Sequence, residues 1–113
     1  MAGKVKRAEK QARQGDVLLT KVRANRSTKD NMTLAEKDKM TYVLAEGEVT
    51  GHAHRVAAGC TSLFVGEQAR LLEVQKVVPL RHEEHETIEF PMGDWEVRTK
   101  REYSPRGNFD LLD

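Results

Sequence analysis

The chain has 113 residues, which fits a single domain. Charged residues make up 33% of it and hydrophobic residues 38%, so we expect a small core beneath a strongly charged surface. The formal net charge of +1 gives no overall attraction to nucleic acid or to an anionic membrane. A lone cysteine excludes an intrachain disulfide, and no apolar stretch approaches the roughly 20 residues that a membrane span requires. We therefore expect a protein of the cytosol, or one that is assembled there.

The first segment, residues 1–13, is basic. It carries five positive charges against the single acid Glu9, and Val5 is its only large apolar residue beyond Met1. This composition favours a solvated tail, or an arm or short helix that an acidic partner would order. We divide the chain into a basic arm over residues 1–13, one β domain over 14–105 and a C-terminal tail over 106–113.

The first predicted strand is the apolar and β-branched run at residues 17–22, which follows the turn formers Gly15 and Asp16. Residues 23–33 are polar and predict a loop. The tetrad Thr33-Leu34-Ala35-Glu36 has the spacing of a capping box, which predicts a short helix near residues 34–39.

From residue 41 onward, much of the chain alternates apolar and polar residues with the period of a β-strand. Pro79 either breaks a ladder or marks a sheet edge. We therefore predict a mainly β fold, a small barrel or sandwich of roughly six to eight short strands with at most one short helix. The strands predicted after the first lie at residues 41–45, 48–50, 52–56, 61–65, 69–78, 87–90 and 95–103.

The four histidines of the chain fall in two close pairs. His52 and His54 are two residues apart, so on a β-strand both side chains point to the same face. Such a pair can hold one metal ion with two imidazoles. Gly51, immediately before the pair, permits a turn or a close approach of the backbone.

The second pair, His82 and His85, lies in the acidic sequence RHEEHE. A spacing of three residues suits a turn or a single turn of helix, which would aim both rings the same way. Glu83, Glu84 and Glu86 could bind the second ring nitrogen of a ligating histidine, or could be ligands themselves.

We predict that His52, His54, His82 and His85 form one site for a divalent transition metal, with zinc first and iron, nickel or manganese as alternatives. Four ligands would make the site structural, whereas three ligands and an open position could activate water or bind a small anion. Two other interpretations remain open: a hydrogen-bonded histidine cluster without metal, and unrelated histidines on a solvated acidic turn.

Other candidate residues are weaker. Cys60 follows a glycine in a predicted turn and suits a small buried residue as well as a thiol ligand. The sequence has no CxxC, no glycine-rich phosphate loop and no GxSxG, so it indicates no catalytic residue and no cofactor-binding motif. Arg98, together with Arg55 and Arg81, suits either a solvated face or a polar rim around a ligand.

Three segments carry a family resemblance: QGDVLL at residues 14–19, AEGEVTGHAHRV at 45–56, and RHEEHETIEFPMGDWEVRTKREYSP at 81–105. They resemble an uncharacterised family of small proteins from bacteria and their phages. The resemblance covers roughly residues 14–105 and leaves both ends outside it. The resemblance implies no activity, since none is assigned to the family. It makes the virion a second expected location beside the cytosol.

A second resemblance is to the cupins, β-barrel proteins with a His-x-His pair on one strand and a later metal ligand near a Pro-x-Gly turn. Gly51-His52-Ala53-His54 and Pro91-Met92-Gly93 are similar to that pattern. The acidic residue expected a few positions after the pair is missing, and the third histidine precedes the Pro-x-Gly turn. The resemblance therefore implies a divalent metal for His52 and His54 alone.

Three functions fit these observations. The first is a metal-binding β domain. The second is a structural or assembly subunit, such as a capsid, decoration or tail component of a phage, whose two ends bind other proteins or further copies of the chain. The third is a nucleic-acid adaptor that uses the basic arm, which a net charge near zero and only six aromatic residues disfavour. We expect no membrane partner.

Overall fold

The structure is a computed structural model that describes residues 5–46 and 51–99, together with the backbone of residues 110–111. Within these ranges the chain forms twelve strands, one α-helix, α1 (Arg26–Asp30), and a 3-10 turn at Ala58–Cys60. The strands are β1 (Lys6–Arg7), β2 (Gln11–Gln14), β3 (Val17–Arg23), β4 (Thr33–Leu34), β5 (Thr41–Glu46), β6 (Ala53–Ala57), β7 (Thr61–Val65), β8 (Arg70–Val74), β9 (Val78–Arg81), β10 (Ile88–Phe90), β11 (Gly93–Thr99) and β12 (Asp110–Leu111).

The strands form two sheets. Sheet A has five strands in the order β1-β10-β9-β6-β5, and sheet B has the order β12-β3-β11-β8-β7-β4 with β2 added beside β3. In the described part of the chain, β1 and β10 pair in parallel and the other strand pairs are antiparallel. Short turns join several neighbouring strands, which is the connection that antiparallel pairs permit.

The hydrophobic core lies between the two sheets. Trp95 of sheet B is fully buried, and its ring meets that of Phe90 of sheet A edge to face, with the centroids 4.8 Å apart. Tyr42, Leu44, Val56 and Leu80 enter the same core from sheet A, and Leu19, Leu72 and Val97 enter it from sheet B. Two sheets that share one core in this way make a β-sandwich, which confirms the predicted mainly β fold.

The basic N-terminal segment supplies strands to both sheets. β1 lies beside β10 at the edge of sheet A, and β2 forms a hairpin with β3. Ala8 and Ala12 are buried in the core. The sequence predicted a tail, arm or helix over residues 1–13. Two small alanines, without β-branched or aromatic neighbours, are too weak a pattern to indicate strands.

The described part of the C-terminal tail also pairs with the chain's own sheet, since Asp110 and Leu111 of β12 lie opposite Arg23 and Val22 of β3. The predicted strand at 48–50, the end of the one at 95–103 and the rest of the tail lie outside the described residues. The assembly hypothesis rested on a small β-rich fold and on two ends that resemble arms, and the described parts of both ends are strands of the sandwich. Binding of other proteins through these ends stays a prediction.

The α-helix lies earlier in the chain than predicted. α1 occupies part of the predicted loop at 23–33, and the side chain of Asn25 caps it by accepting a hydrogen bond of 2.8 Å from the backbone N–H of Thr28. The predicted helix at 34–39 is wrong. Thr33 and Leu34 form β4 instead, because their pairing with β7 gives them ladder hydrogen bonds that a capping box alone does not outweigh.

Lys29 of α1 anchors the helix to sheet B. Its ammonium group pairs with Glu73 of β8 and, at 3.0 Å, with Asp94 of β11. Burial alone would lower the pKa of Lys29, but the hydrogen bonds to both carboxylates more than offset this and raise it. Within the ranges that the structure describes, no helix has the length and apolar character needed to cross a membrane.

Candidate metal centre

β6 carries one histidine of the first pair into the interior. Side chains alternate along this strand, so His54 and Val56 face inward and are buried, whereas Arg55 faces outward and is half-buried. His52 precedes the strand, which begins at Ala53. The strand therefore holds one histidine of the predicted His-x-His pair, His54, and His52 lies one residue before its start.

The second histidine pair lies in the loop that joins β9 to β10. His82 directly follows Arg81, the last residue of β9, and His85 is exposed three residues further on. The segment is a bend rather than a helical turn. It therefore leaves His82 next to the sheet and lets His85 reach back from the loop.

A hydrogen bond between the two histidine motifs holds them side by side. The backbone N–H of Ala53, between His52 and His54, donates to Oε1 of Glu83 at 2.9 Å. This bond is the main reason that the pKa of Glu83 lies below its ordinary value, so the carboxylate stays charged at neutral pH. Glu83 thus ties the loop after β9 to the start of β6.

Three of the four predicted residues come together at this point: His54, His82 and His85. The ring of His82 lies 4.4 Å from that of His54 and 4.5 Å from that of His85, measured between centroids. One ligand atom from each of the three rings lies within 4.8 Å of the others. Among the described residues, this trio could hold a metal ion.

His52 is adjacent to the trio without being part of it. Its ring is nearly perpendicular to that of His82, with the centroids 5.9 Å apart. Its Nδ1 is buried, lacks a hydrogen-bond partner among the described atoms, and lies 3.7 Å from a carboxylate oxygen of Glu84. A role for His52 as a fourth ligand stays a prediction.

The amide of Gln14 fixes the orientation and tautomer of His54. Gln14 is buried at the end of β2, and its Nε2 donates hydrogen bonds of 2.8 Å to the carbonyls of Leu80 and Glu86. Both amide hydrogens are therefore used, and the amide oxygen, 2.7 Å from Nδ1 of His54, can only accept. The proton of neutral His54 lies on Nδ1, which leaves the lone pair of Nε2 free for a metal.

Gly15 brings the turn between β2 and β3 against the histidine rings. Gln14 pairs with Val17, so Gly15 and Asp16 form a two-residue hairpin turn, and Gly15 has a φ of +55°. A Cβ at this position would lie 2.7 Å from Nε2 of His85 and 3.1 Å from Cε1 of His54. Only glycine combines this backbone angle with this close approach.

The environment of His54 keeps its ring neutral. Burial lowers its pKa to about 4, and the nearby imidazoles of His82 and His85 act in the same direction. The negative charges of Asp16 and Glu83 oppose the shift. A neutral imidazole is the form that binds a metal, so His54 needs no deprotonation at neutral pH.

His82 has the opposite tautomer in this structure. Its Nδ1 accepts a hydrogen bond of 3.0 Å from the backbone N–H of Glu84, which places the proton of the neutral ring on Nε2. Binding of a metal through Nε2 would require the proton to move to Nδ1 and the Glu84 contact to be given up. Binding of an ion by all three histidines would therefore require a change in the loop after β9.

The size of the trio leads to the same conclusion. With zinc–nitrogen distances of about 2.0–2.1 Å, the nitrogens of a tetrahedral site lie roughly 3.3–3.4 Å apart. The ligand atoms here lie within 4.8 Å, so closure could require a contraction of more than an ångström. His54 is fixed by the sheet and by Gln14, whereas His82 and His85 lie on a loop that can supply this movement.

Comparison with known proteins identifies a family but no function. A family model described as "Domain of unknown function (DUF8820)" matches residues 13–100. The chain belongs to this family. No curated protein and no solved structure matches it. The resemblance to an uncharacterised family is thus confirmed in part, while the bacterial or phage origin and the similarity to cupins stay predictions.

Gln14 and Gly15, which lie beside the trio, were not predicted from the sequence as site residues. Both residues lie in the QGDVLL segment and within the part of the chain that the family model matches. Their place in that segment was the only feature of the sequence that could have indicated them. Placing residues 1–13 in an arm concealed the β2–β3 hairpin and therefore the turn that reaches the histidines. Because the contact between Gln14 and His54 joins residues 40 apart, local sequence patterns do not reveal it.

Proposed function

We propose that this protein binds one divalent transition-metal ion through His54, His82 and His85, with zinc as the preferred ion. The observation that carries the proposal is the convergence of three imidazoles whose ligand atoms lie within 4.8 Å of one another. Imidazole nitrogen suits zinc, iron and nickel better than it suits magnesium or calcium, which prefer oxygen ligands.

Three features support a metal site over a simple cluster of histidines. Gln14 holds His54 in the tautomer whose Nε2 lone pair is free. Gly15 keeps side-chain atoms out of the space beside His54 and His85. Asp16 and Glu83 supply negative charge near His54, which favours a bound cation.

The protein has four histidines, and three of them make up the proposed ligand set. A three-histidine set leaves a position for water or an exogenous ligand, as in catalytic zinc sites. We propose no reaction for this site.

The direct test is a competition titration of metal-free protein with zinc against a chromophoric chelator, with cobalt as a spectroscopic substitute. We expect one equivalent to bind, and the cobalt form to show the intense visible absorption of tetrahedral coordination. His85→Ala should weaken binding about 100-fold or more, and His85 is exposed, so the variant should fold. Lys76→Ala, exposed in the turn at the other end of β9, is the control and should bind like the parent.

A second variant decides the role of His52. If three ligands hold the ion, His52→Ala leaves zinc affinity nearly unchanged, and azide alters the cobalt spectrum by entering the open position. If His52 is a fourth ligand, its removal weakens binding as strongly as His85→Ala does. Absence of stoichiometric binding of zinc, iron, nickel or manganese to the parent protein would refute the proposal.

A further inference from the structure

We propose that a groove on the outer face of sheet A binds a small organic oxyanion between Arg55 and Arg81. The groove has a volume of about 470 Å³, within the range of roughly 300–1,000 Å³ that is usual for small-molecule sites. It lies on the side of β6 and β9 that faces away from the core, and both arginines line it.

The side chains of β6 explain why there is a groove. Ala53, Arg55 and Ala57 alternate with the inward-facing residues, so they share the outer face of the strand. The exposed Ala57 leaves open space on one side of the arginine, whereas Ala53 is buried on the other side. Pro79 lines the groove from β9 and adds an apolar wall near Ala57.

The two arginines form a like-charge pair across neighbouring strands. Arg55 and Arg81 are directly opposite each other in the β6–β9 register. Like charges in this position destabilise a sheet unless a counter-charge lies near. Arg55 has one, because its guanidinium pairs with Asp38 at 2.7 Å. Arg81 is exposed and has no ion pair among the described residues.

An oxyanion between the guanidiniums would remove the repulsion and accept paired N–H donors, the geometry that arginine offers to carboxylates and phosphates. Glu83 also lines the groove, and its carboxylate is hydrogen-bonded to the backbone of Ala53 at one end of the groove. We therefore place the apolar part of the ligand at the opposite end, over Ala57 and Pro79. The expected ligand is an organic acid or a phosphate monoester with a small apolar body.

The groove borders the proposed metal site, because His82 lines it and belongs to the histidine trio. The anion proposal does not require the metal, since its cations are the two arginines. It is therefore tested on protein freed of metal with a chelating resin, because a soluble polycarboxylate chelator would compete for the groove. Failure of either proposal then leaves the other standing.

The experiment follows backbone amide and arginine Nε–H signals by NMR during titration with phosphate, phenyl phosphate, acetate and benzoate at constant ionic strength. We expect saturable shifts at Arg55, Arg81 and Ala57, and tighter binding of the two aromatic probes than of phosphate and acetate. Comparison of phenyl phosphate with benzoate shows which oxyanion the site prefers. Arg81→Gln should weaken binding about tenfold or more without unfolding the protein, since Arg81 is exposed.

Arg26→Gln is the matched control, because Arg26 is an exposed arginine at the start of α1, away from the groove. This variant should bind the probes as the parent does. Unsaturable shifts, equal shifts at Arg26 and Arg81, or full binding by Arg81→Gln would each overturn the proposal, because they would show general screening of charge.

Discussion

The side-chain oxygen of Gln14 lies 2.7 Å from Nδ1 of His54, where the β2–β3 hairpin meets β6. The amide nitrogen of Gln14 is held by the carbonyls of Leu80 and Glu86, so the oxygen has one orientation. A buried amide thus decides which nitrogen of the histidine bears the proton. The lone pair of His54 that remains available is therefore on Nε2.

Replacing Gln14 by leucine should weaken zinc binding about 10–100-fold, because the orientation and tautomer of His54 are no longer fixed. It should also lower the free energy of unfolding by about 1–3 kcal/mol, since buried carbonyls lose their donors. Competition titration and urea denaturation measure the two effects. Gln11→Leu is the control on the same strand: Gln11 is exposed and its side chain bonds that of Thr20, away from the histidines, so zinc affinity should be retained. Equal zinc affinity in the two variants would contradict the assigned role of Gln14.

The two tautomers can be observed directly. We expect long-range ¹H–¹⁵N spectra of the metal-free protein to show the proton of His54 on Nδ1 and that of His82 on Nε2, as their hydrogen bonds require. With zinc, His54 should keep its tautomer, whereas His82 should change to Nδ1–H and the amide signal of Glu84 should shift. An unchanged His82 in a saturated complex would show that this ring is not a ligand through Nε2.

Gly15→Ala should weaken zinc binding, because the new methyl group would lie 2.7 Å from Nε2 of His85 and displace that ring. It should also cost about 1 kcal/mol of stability, since alanine disfavours a positive φ. Gly51→Ala separates the two effects: Gly51 has a φ of +87°, but a Cβ there contacts nothing within 4 Å. We expect a similar loss of stability in both variants and a marked loss of zinc affinity only in Gly15→Ala. Comparable affinity losses would exclude the steric explanation.

The ion pair that anchors α1 should make stability depend on pH in the acid range. Hydrogen bonds from Lys29 and then Gln75 lower the pKa of Glu73 from its ordinary value of 4.5. The folded state thus binds the proton less readily than the unfolded state. The pair therefore contributes fully above about pH 4.5, and its contribution is lost as the pH falls through the folded pKa.

Urea denaturation of the parent and of Glu73→Gln between neutral and acid pH measures this effect. The parent should be more stable by about 0.5–1 kcal/mol at neutral pH, and the difference should shrink on acidification. Glu36→Gln, at an exposed loop position, serves as the control and should follow the parent at every pH. A difference that stays constant with pH would show that Glu73 acts through packing instead.

The strands with strong local patterns could be predicted from the sequence. The runs at 17–22, 41–45 and 61–65 are rich in β-branched and apolar residues and agree closely with β3, β5 and β7. The pairing of histidines also pointed to the part of the chain where His54, His82 and His85 meet. In the three strands, and within each histidine pair, the residues that carry the pattern are neighbours in sequence.

The remaining features depend on contacts between distant residues. Ala12 is the only apolar residue of β2, so this strand exists because β3 supplies its hydrogen bonds. His52 lies just before β6, which begins at Ala53, and the backbone N–H of Ala53 is bound by Glu83. No local spacing encodes that hydrogen bond, which joins residues 30 apart.

The hydrogen bonds of Gln14 connect residues that are 40, 66 and 72 positions apart, so the contact that orients His54 forms only after distant strands have come together. Loop-closure entropy must be lost before such distant contacts form, so these contacts belong to the slow steps of folding a β protein. Early in folding, the three histidines would therefore not yet be positioned to bind a zinc ion together. We expect stopped-flow kinetics to show an unchanged refolding rate and slower unfolding with zinc, so that the ion extends the lifetime of the native state without guiding its formation.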